Sequence, residues 1–446
     1  MATAAVRVTV HGVDHWSTMT SSISLHLLDN GLRVVVDEMA VASSAIGFWV
    51  HTGSRDEPEV LAGASHFLEH LLFKGTEERS ASSIAEAFDA VGGDCNAFTT
   101  KEYTAFYARL LAEDAGLAVD ILSDILSKPA LRPFDVDAER LVIAEELAMH
   151  GDEPADLSAE LSSALLYPNS GLGRDTLGTK ATITSLTATD IRQFFNDHYG
   201  ASNLVVAIAG GGAMEPLLER LNSFVPAPRS IAPDRSAPKE PSTNLAVKRL
   251  PTEQVHLTIG WRSVDRQSPQ RVVAGLYNHL LGGGLSSRLF QRIREREGLA
   301  YSVWSEREVY DHAGSLNIMA GTSPDRAAQV VEICFEEVEQ LGAHGPTPRE
   351  LAVAKGNLRA ELLLSLEDSG ARMHFAATEV LRYGRVRPID ELLQELDAVT
   401  STQVAEFAKT LHPDAAVVAA VGPVSKKSFA QVLPSAKVRV PSNSQE

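Results

Sequence analysis

Two apolar rhythms alternate along the chain. Nearly continuous apolar runs predict strands, because β-branched and aromatic side chains suit a pleated surface. They are LRVVVDE at 32–38, AIGFWVHTG at 45–53, NAFTTKEYTAFYARL at 96–110 and VHLTIGWR at 255–262. Stretches with apolar residues three and four apart predict helices, among them HFLEHLLF from His66 and DVDAERLVIAEELAMH at 135–150. Interleaved in this way they predict an α+β fold, one helix layer packed on a mostly antiparallel sheet.

The pattern is written twice. SLTATDIRQFFNDHYGASNLVVAIAGG from Ser185 and AVTSTQVAEFAKTLHPDAAVVAAVGP from Ala398 each give a threonine-led cap, an amphipathic helix with Phe194 or Phe407, and a short apolar strand. FYARLLAEDAGLAVDILSDIL from Phe106 likewise matches LNIMAGTSPDRAAQVVEICFEEV from Leu316. Two offsets of similar length predict a duplicated domain. We place the copies at 20–225 and 242–436, joined by PAPRSIAPDRSAPKEP at 226–241, whose five prolines predict an extended, exposed linker. The closing PSNSQE predicts a disordered tail.

Composition changes the picture by exclusion. A chain of 446 residues, 44% hydrophobic and 22% charged, has the balance of a globular protein with two cores. A net charge of −18 argues against nucleic acid as a partner, since phosphate binding needs basic surface. Cys95 and Cys334 stand alone, one in each half, and build no disulfide framework. The opening MATAAVRVTVHGVDHWSTMTSS has no apolar leader segment, and no apolar run is long enough to span a bilayer, so a cytoplasmic location without membrane attachment is expected.

The candidate chemistry lies in HFLEH. On a helix, His66, Glu69 and His70 leave one face, flanked by Phe67, Leu68, Leu71, Leu72 and Phe73. Three ionisable groups in so apolar a segment are costly without a partner, and a metal ion removes that cost. Catalytic zinc takes three protein ligands and keeps a position for water, so a third ligand is required. Glu139 and Glu146 are seven residues apart and share a helical face, with Val142 and Ile143 turning part of it inward, while Glu145 points elsewhere. His51, His150, His198, His256, His279, His312, His344, His374 and His412 show no paired spacing, and Gly12 and Val13 argue against a helix carrying His11 and His15.

GSRDE at 53–57, HFLEHLLFKGT at 66–76, GGDCNAFTTKEYT at 92–104 and ERLVIAEE at 139–146 together resemble the pitrilysin or insulinase family of zinc peptidases. The likeness is to the branch of mitochondrial processing peptidase and its bacterial relatives, which carry the inverted His-x-x-Glu-His order. It implies two α/β sandwich domains of the mitochondrial-processing-peptidase-like metallohydrolase type. His66, His70 and Glu146 become the Zn2+ ligands, Glu69 the general base and Glu139 a carboxylate supporting a ligand. Asn96 and Ala97 match the edge strand that holds an extended peptide. GGGLSSRLFQRIREREGLAYSV from Gly282 brings Arg294 and Tyr301, which by this likeness reach the substrate carbonyl.

The resemblance further implies hydrolysis of peptides or unfolded protein segments inside a closed chamber. Large relatives have four such domains and this chain has two, so a homodimer is expected, with Arg294 and Tyr301 arriving from a partner. Two alternatives stay in view. Some relatives keep the fold without the metal as scaffold subunits, and others process a single peptide precursor.

Overall fold

The computed structural model describes residues 22–433, so the opening segment with His11 and His15, and the PSNSQE tail, lie outside the described residues. The described chain forms two compact units. The first takes residues 22–147, 175–234 and 361–392, the second 148–174, 235–360 and 393–433.

The first unit is built on six strands: β1 (Ser22–Leu27), β2 (Arg33–Glu38), β3 (Ser43–Val50), β4 (Asp94–Thr99), β5 (Thr104–Leu111) and β6 (Leu204–Gly210). Their order is β1-β2-β6-β3-β5-β4, with β2 and β6 parallel and every other pair antiparallel. Strand β4 is therefore an edge.

The apolar runs are continuous because the central strands are covered on both faces. Val34, Val36, Ile46, Phe48, Val206 and Ile208 enter one core, beneath the helices α1 (Ala64–Leu72), α2 (Ala81–Ala90) and α3 (Ala115–Ser127). Their neighbours Val35, Ala45, Trp49, Val205, Ala207 and Ala209 enter a second core against Met373, Ala376, Ala377 and Val380. Those four belong to the helix Ser369–Tyr383, from the far end of the sequence. Small side chains on both surfaces let helix and sheet approach closely. Asp37 of β2 and Arg372 of this helix form a buried two-point ion pair at 2.6 and 2.9 Å.

The second unit holds β7 (Leu245–Arg249), β8 (Val255–Arg262), β9 (Ala300–Tyr310), β10 (Ala313–Thr322) and β11 (Val417–Gly422), in the order β7-β11-β8-β10-β9. Helices Arg271–Gly282, Ala327–His344 and Ser401–Ala408 cover one face. Two further helices of the first half are α4 (Pro133–Asp152) and α5 (Pro154–Leu166), and α5 covers the other face of this sheet. Ser158 Oγ lies 2.8 Å from Thr258 Oγ1, and a Cβ on Gly260 would come within 2.8 Å of Ser162 Oγ. Gly260 is the position that admits α5.

The duplication is visible in matching caps. Thr187 caps Ala188–His198 with Asp190 at the third position, and Thr400 caps Ser401–Ala408 with Gln403 there. Each helix leads to a strand, β6 or β11, that pairs in parallel with one neighbour. The outer helices extend the expected two-layer sandwich to three layers. They are reciprocal, since the helix on each sheet's outer face comes from the other half of the sequence.

Two local expectations are corrected. NAFTTKEYTAFYARL is two strands, broken at Thr100, whose hydroxyl accepts from the Glu102 and Tyr103 amides at 3.3 and 3.1 Å. Residues 226–241 carry no helix or strand but are not simply exposed. The Arg229 and Ile231 amides donate to Asn196 and Asp197 carbonyls, and Ala227 and Arg235 are buried. Gly282 ends a helix against Ser305, where a Cβ would meet the amide nitrogen at 2.5 Å, so close packing requires it.

Candidate metal centre

Helix α1 starts where Gly63, at φ 95, turns the chain in the left-handed region. The Glu57 carboxylate accepts from the Gly63 and Ser65 amides at 2.8 and 2.7 Å, which satisfies first-turn donors and places negative charge at the positive helix end. Phe67, Leu68, Leu71 and Leu72 are buried in the core. The remaining face carries His66, Glu69 and His70, all half-buried.

Helix α4 brings the second set. His70 Nδ1 lies 3.3 Å from Glu139 Oε1, and Lys74 Nζ lies 2.5 Å from the other oxygen of that carboxylate. Donation from Nδ1 to Glu139 leaves the Nε2 lone pair of His70 free. That Nε2 is 3.3 Å from His66 Nε2 and 3.6 Å from Glu146 Oε2, and His66 Nε2 is 3.8 Å from the same oxygen. Ile143 is buried on this face of α4, whereas Val142 is exposed, contrary to the inward placement expected for both. One helical step separates facing the core from facing water here.

These donors fit a zinc ion. Tetrahedral bonds of about 2.0–2.1 Å put neighbouring ligand atoms about 3.3–3.4 Å apart, close to the spacing of this trio. Two imidazole nitrogens at 3.3 Å suit a shared cation, and burial and His70 push His66 down to about 4, so near neutral pH that cation is not an added proton.

Glu69 stands outside the trio. Its Oε2 accepts from Thr99 Oγ1 at 2.5 Å, and burial pushes its carboxyl above the ordinary range against the pull of that bond. Thr99 ends β4, the edge strand that also carries exposed Asn96 and half-buried Ala97. Asn96 Oδ1 accepts from the Ala97 amide at 2.8 Å. Neighbouring Cys95 is no thiolate, because burial and then Asp94 push its thiol up to about 12.

The sequence reading missed what fixes α1 to β4. The Ser54 and Arg55 amides donate to the Thr100 and Lys101 carbonyls at 3.1 and 2.8 Å. Arg55 and Glu102 form a buried pair at 2.5 Å. Residues 53–57 thus join the start of the histidine helix to the turn after Thr99. GSRDE and TKEYT were visible as part of a resemblance, and nothing in their local pattern announced a brace.

A loss of the Thr99 hydroxyl isolates its role. Thr99→Val is expected to lower kcat about tenfold with little change in KM, and Thr99→Ser to restore most of it, on the scale of one hydrogen bond to a charged group. Equal kcat in wild type and Thr99→Val would show that the bond does not orient Glu69.

Arg294 and Tyr301 are brought together in the second unit, not the unit of the histidines. Arg294 lies on the π-helical turn Phe290–Arg296, with its guanidinium 4.8 Å from the Phe290 ring centroid and 5.2 Å from that of Tyr301. Tyr301 is 79% exposed.

The comparisons agree with this architecture. Residues 33–180 match the family described as insulinase, peptidase family M16, and residues 185–358 match the peptidase M16 inactive domain, a span without a His-x-x-Glu-His run. A protein of Mycobacterium tuberculosis called an uncharacterized zinc protease is 39% identical over 91% of this chain and 94% of its own. Proteins of the same description from Streptomyces coelicolor and Bacillus subtilis are 37% and 35% identical, over 91% and 90% of this chain and 90% and 98% of theirs. Two solved structures share the fold at a TM-score of 0.84. One is a peptidase M16 inactive domain from Pseudomonas fluorescens, 19% identical, covering 90% of this chain and 98% of its own. The other is a protease from Helicobacter pylori, 20% identical, covering 90% and 100%. Paired α/β sandwiches, one bearing an inverted histidine–glutamate helix, are the frame of a metallopeptidase. The chain belongs to peptidase family M16, the insulinase family.

Proposed function

We propose that this chain is a zinc-dependent endopeptidase acting on peptides or unfolded protein segments, with His66, His70 and Glu146 holding the metal. The carrying observation is the convergence of two Nε2 atoms of α1 and one carboxylate oxygen of α4 at 3.3–3.8 Å, beside a separately held carboxylate on α1. Zinc, when bound, supplies the Lewis acidity that makes water a nucleophile near neutral pH and polarises a carbonyl. Glu69 takes the proton from the attacking water and returns it to the leaving amine, a task suited to a carboxyl whose pKa is raised by burial. Glu139 keeps His70 oriented, and Lys74 Nζ, 2.5 Å from its other oxygen, holds Glu139 in place.

The open edge of β4 at Asn96 and Ala97 receives an extended peptide by main-chain hydrogen bonds, which accommodates varied sequences. Arg294 and Tyr301 donate to the carbonyl oxygen as negative charge develops on it. We propose a cytoplasmic homodimer in which this pair serves the metal centre of the partner. Among the described residues no helix is long and apolar enough to cross a membrane.

The test is metal content and cleavage of a quenched, unstructured peptide, with the native mass measured on the same sample. About one zinc per chain, loss of cleavage on chelation, its return with zinc, and a mass twice that of one chain are expected. A protein that binds no zinc yet cleaves removes the mechanism, and an active monomer removes the dimer.

A further inference from the structure

The second unit contains a cavity of 390 Å3, and its lining carries charge of one sign only. Its polar side chains are Gln254, Arg294, Tyr301, Thr322, Ser323 and Arg326, and no carboxylate lines it. Two guanidinium groups share this space in a chain of net charge −18. Two acids sit at its margin without lining it: Glu295 pairs with Arg294 at Nε, 3.8 Å away, and Asp325 lies beside Ser323 and Arg326.

Geometry leaves both arginines with donors to spare. The Arg294 guanidinium is held beside the Phe290 and Tyr301 rings, and Glu295 approaches it at Nε, the inner end of the fork. Arg326 uses Nη1 to reach the Gly298 carbonyl at 2.8 Å, which anchors the side chain and leaves the rest of its fork. The β9–β10 ladder slips register between Gly321 and Thr322, and both residues line the cavity. Arg326 has no task in the mechanism above.

We propose that this cavity is a carboxylate site for the peptide substrate, with Arg326 as its specificity-determining residue beside Arg294. A planar carboxylate is the partner that a guanidinium fork matches at two points. The carboxylate is either an acidic side chain or the free C-terminus of the peptide. That the ligand is a peptide rests on the peptidase reading; the site itself rests on the cavity and its two arginines.

Three fluorescent peptides of one neutral sequence separate the sources: one with a free C-terminus, one amidated with a single glutamate, and one amidated and neutral. Binding is measured by anisotropy on full-length Glu69→Gln protein at low salt, so it does not depend on turnover. At least one carboxylate peptide is expected to bind about five- to tenfold tighter than the neutral amide, with the preference shrinking as salt rises. The tighter of the two identifies the source. Arg326→Gln is expected to bring the three affinities together and Arg326→Lys to keep part of the preference, with thermal melting confirming that both fold.

Equal binding of all three peptides overturns the site, as does a preference that survives Arg326→Gln or a complete lack of binding. Cleavage of the same peptides by zinc-loaded wild type separates the two failures. If they are cleaved alike, the peptidase reading stands without a carboxylate site. If none is bound or cleaved, both fall.

Discussion

Glu69→Gln is expected to keep zinc and lose peptide hydrolysis by about a thousandfold, within the range assigned to a positioned acid–base group. The reason is local. Glutamine has the shape of glutamate and its carbonyl oxygen still accepts from Thr99 Oγ1, so α1 and the three ligand atoms stay where they are. What disappears is the capacity to take a proton. Replacing a half-buried carboxylate by an amide also removes a charge held at some cost, so the variant is expected to be at least as stable as wild type. Zinc by mass spectrometry and cleavage of a quenched peptide, on one preparation, check both halves. Zinc-loaded Glu69→Gln cleaving within tenfold of wild type would falsify the assignment of Glu69 as base.

Arg372→Met is expected to destabilise the first unit by about 3–5 kcal/mol, because it leaves Asp37 charged, buried and alone. Burial already raises the Asp37 carboxyl above its ordinary range, with Arg372 acting in opposition. Without Arg372 the folded value rises further above the unfolded one. A carboxyl raised on folding weakens the fold fully above its folded pKa, and the cost is relieved as pH falls from there toward the unfolded value of about 3.9. The loss in Arg372→Met is therefore greatest at neutral and higher pH and smaller in acid. Asp37→Asn with Arg372→Met is expected to recover most of it, since no unpaired charge remains. Hydrogen exchange in β2 and β6 checks this, and equal protection in the single and double variants would show that the pair is not coupled.

The chemistry was more legible than its supports. His66, Glu69 and His70 announce themselves because helical geometry alone puts them together, and Glu139 and Glu146 follow by the same rule. The Thr187 and Thr400 caps were legible because a capping residue acts within four positions of itself. Thr99 reaches Glu69 across 30 residues, Arg55 reaches Glu102 across 47 and Asp37 reaches Arg372 across 335, and no local period encodes such meetings. The turn after Thr99 was hidden for another reason. It contains no glycine, proline, asparagine or aspartate, and a threonine hydroxyl makes the bond that such residues usually advertise. Val142 was misplaced because periodicity gives a face but not its margins.

The helix Ser369–Tyr383 has a consequence for synthesis. Strands β1 to β6 are complete once residue 210 has left the ribosome, yet the surface of Val35, Trp49 and Val205 waits for a helix more than 150 residues away. At ordinary translation rates that interval lasts on the order of ten to thirty seconds. During it the nascent chain displays an apolar sheet face to the cell, a natural client for holding chaperones. The same dependence makes the two halves inseparable as heritable units. A gene cut at the proline-rich stretch yields two products, each short of the helix that closes its sheet, so the pair can be inherited together but not shuffled apart.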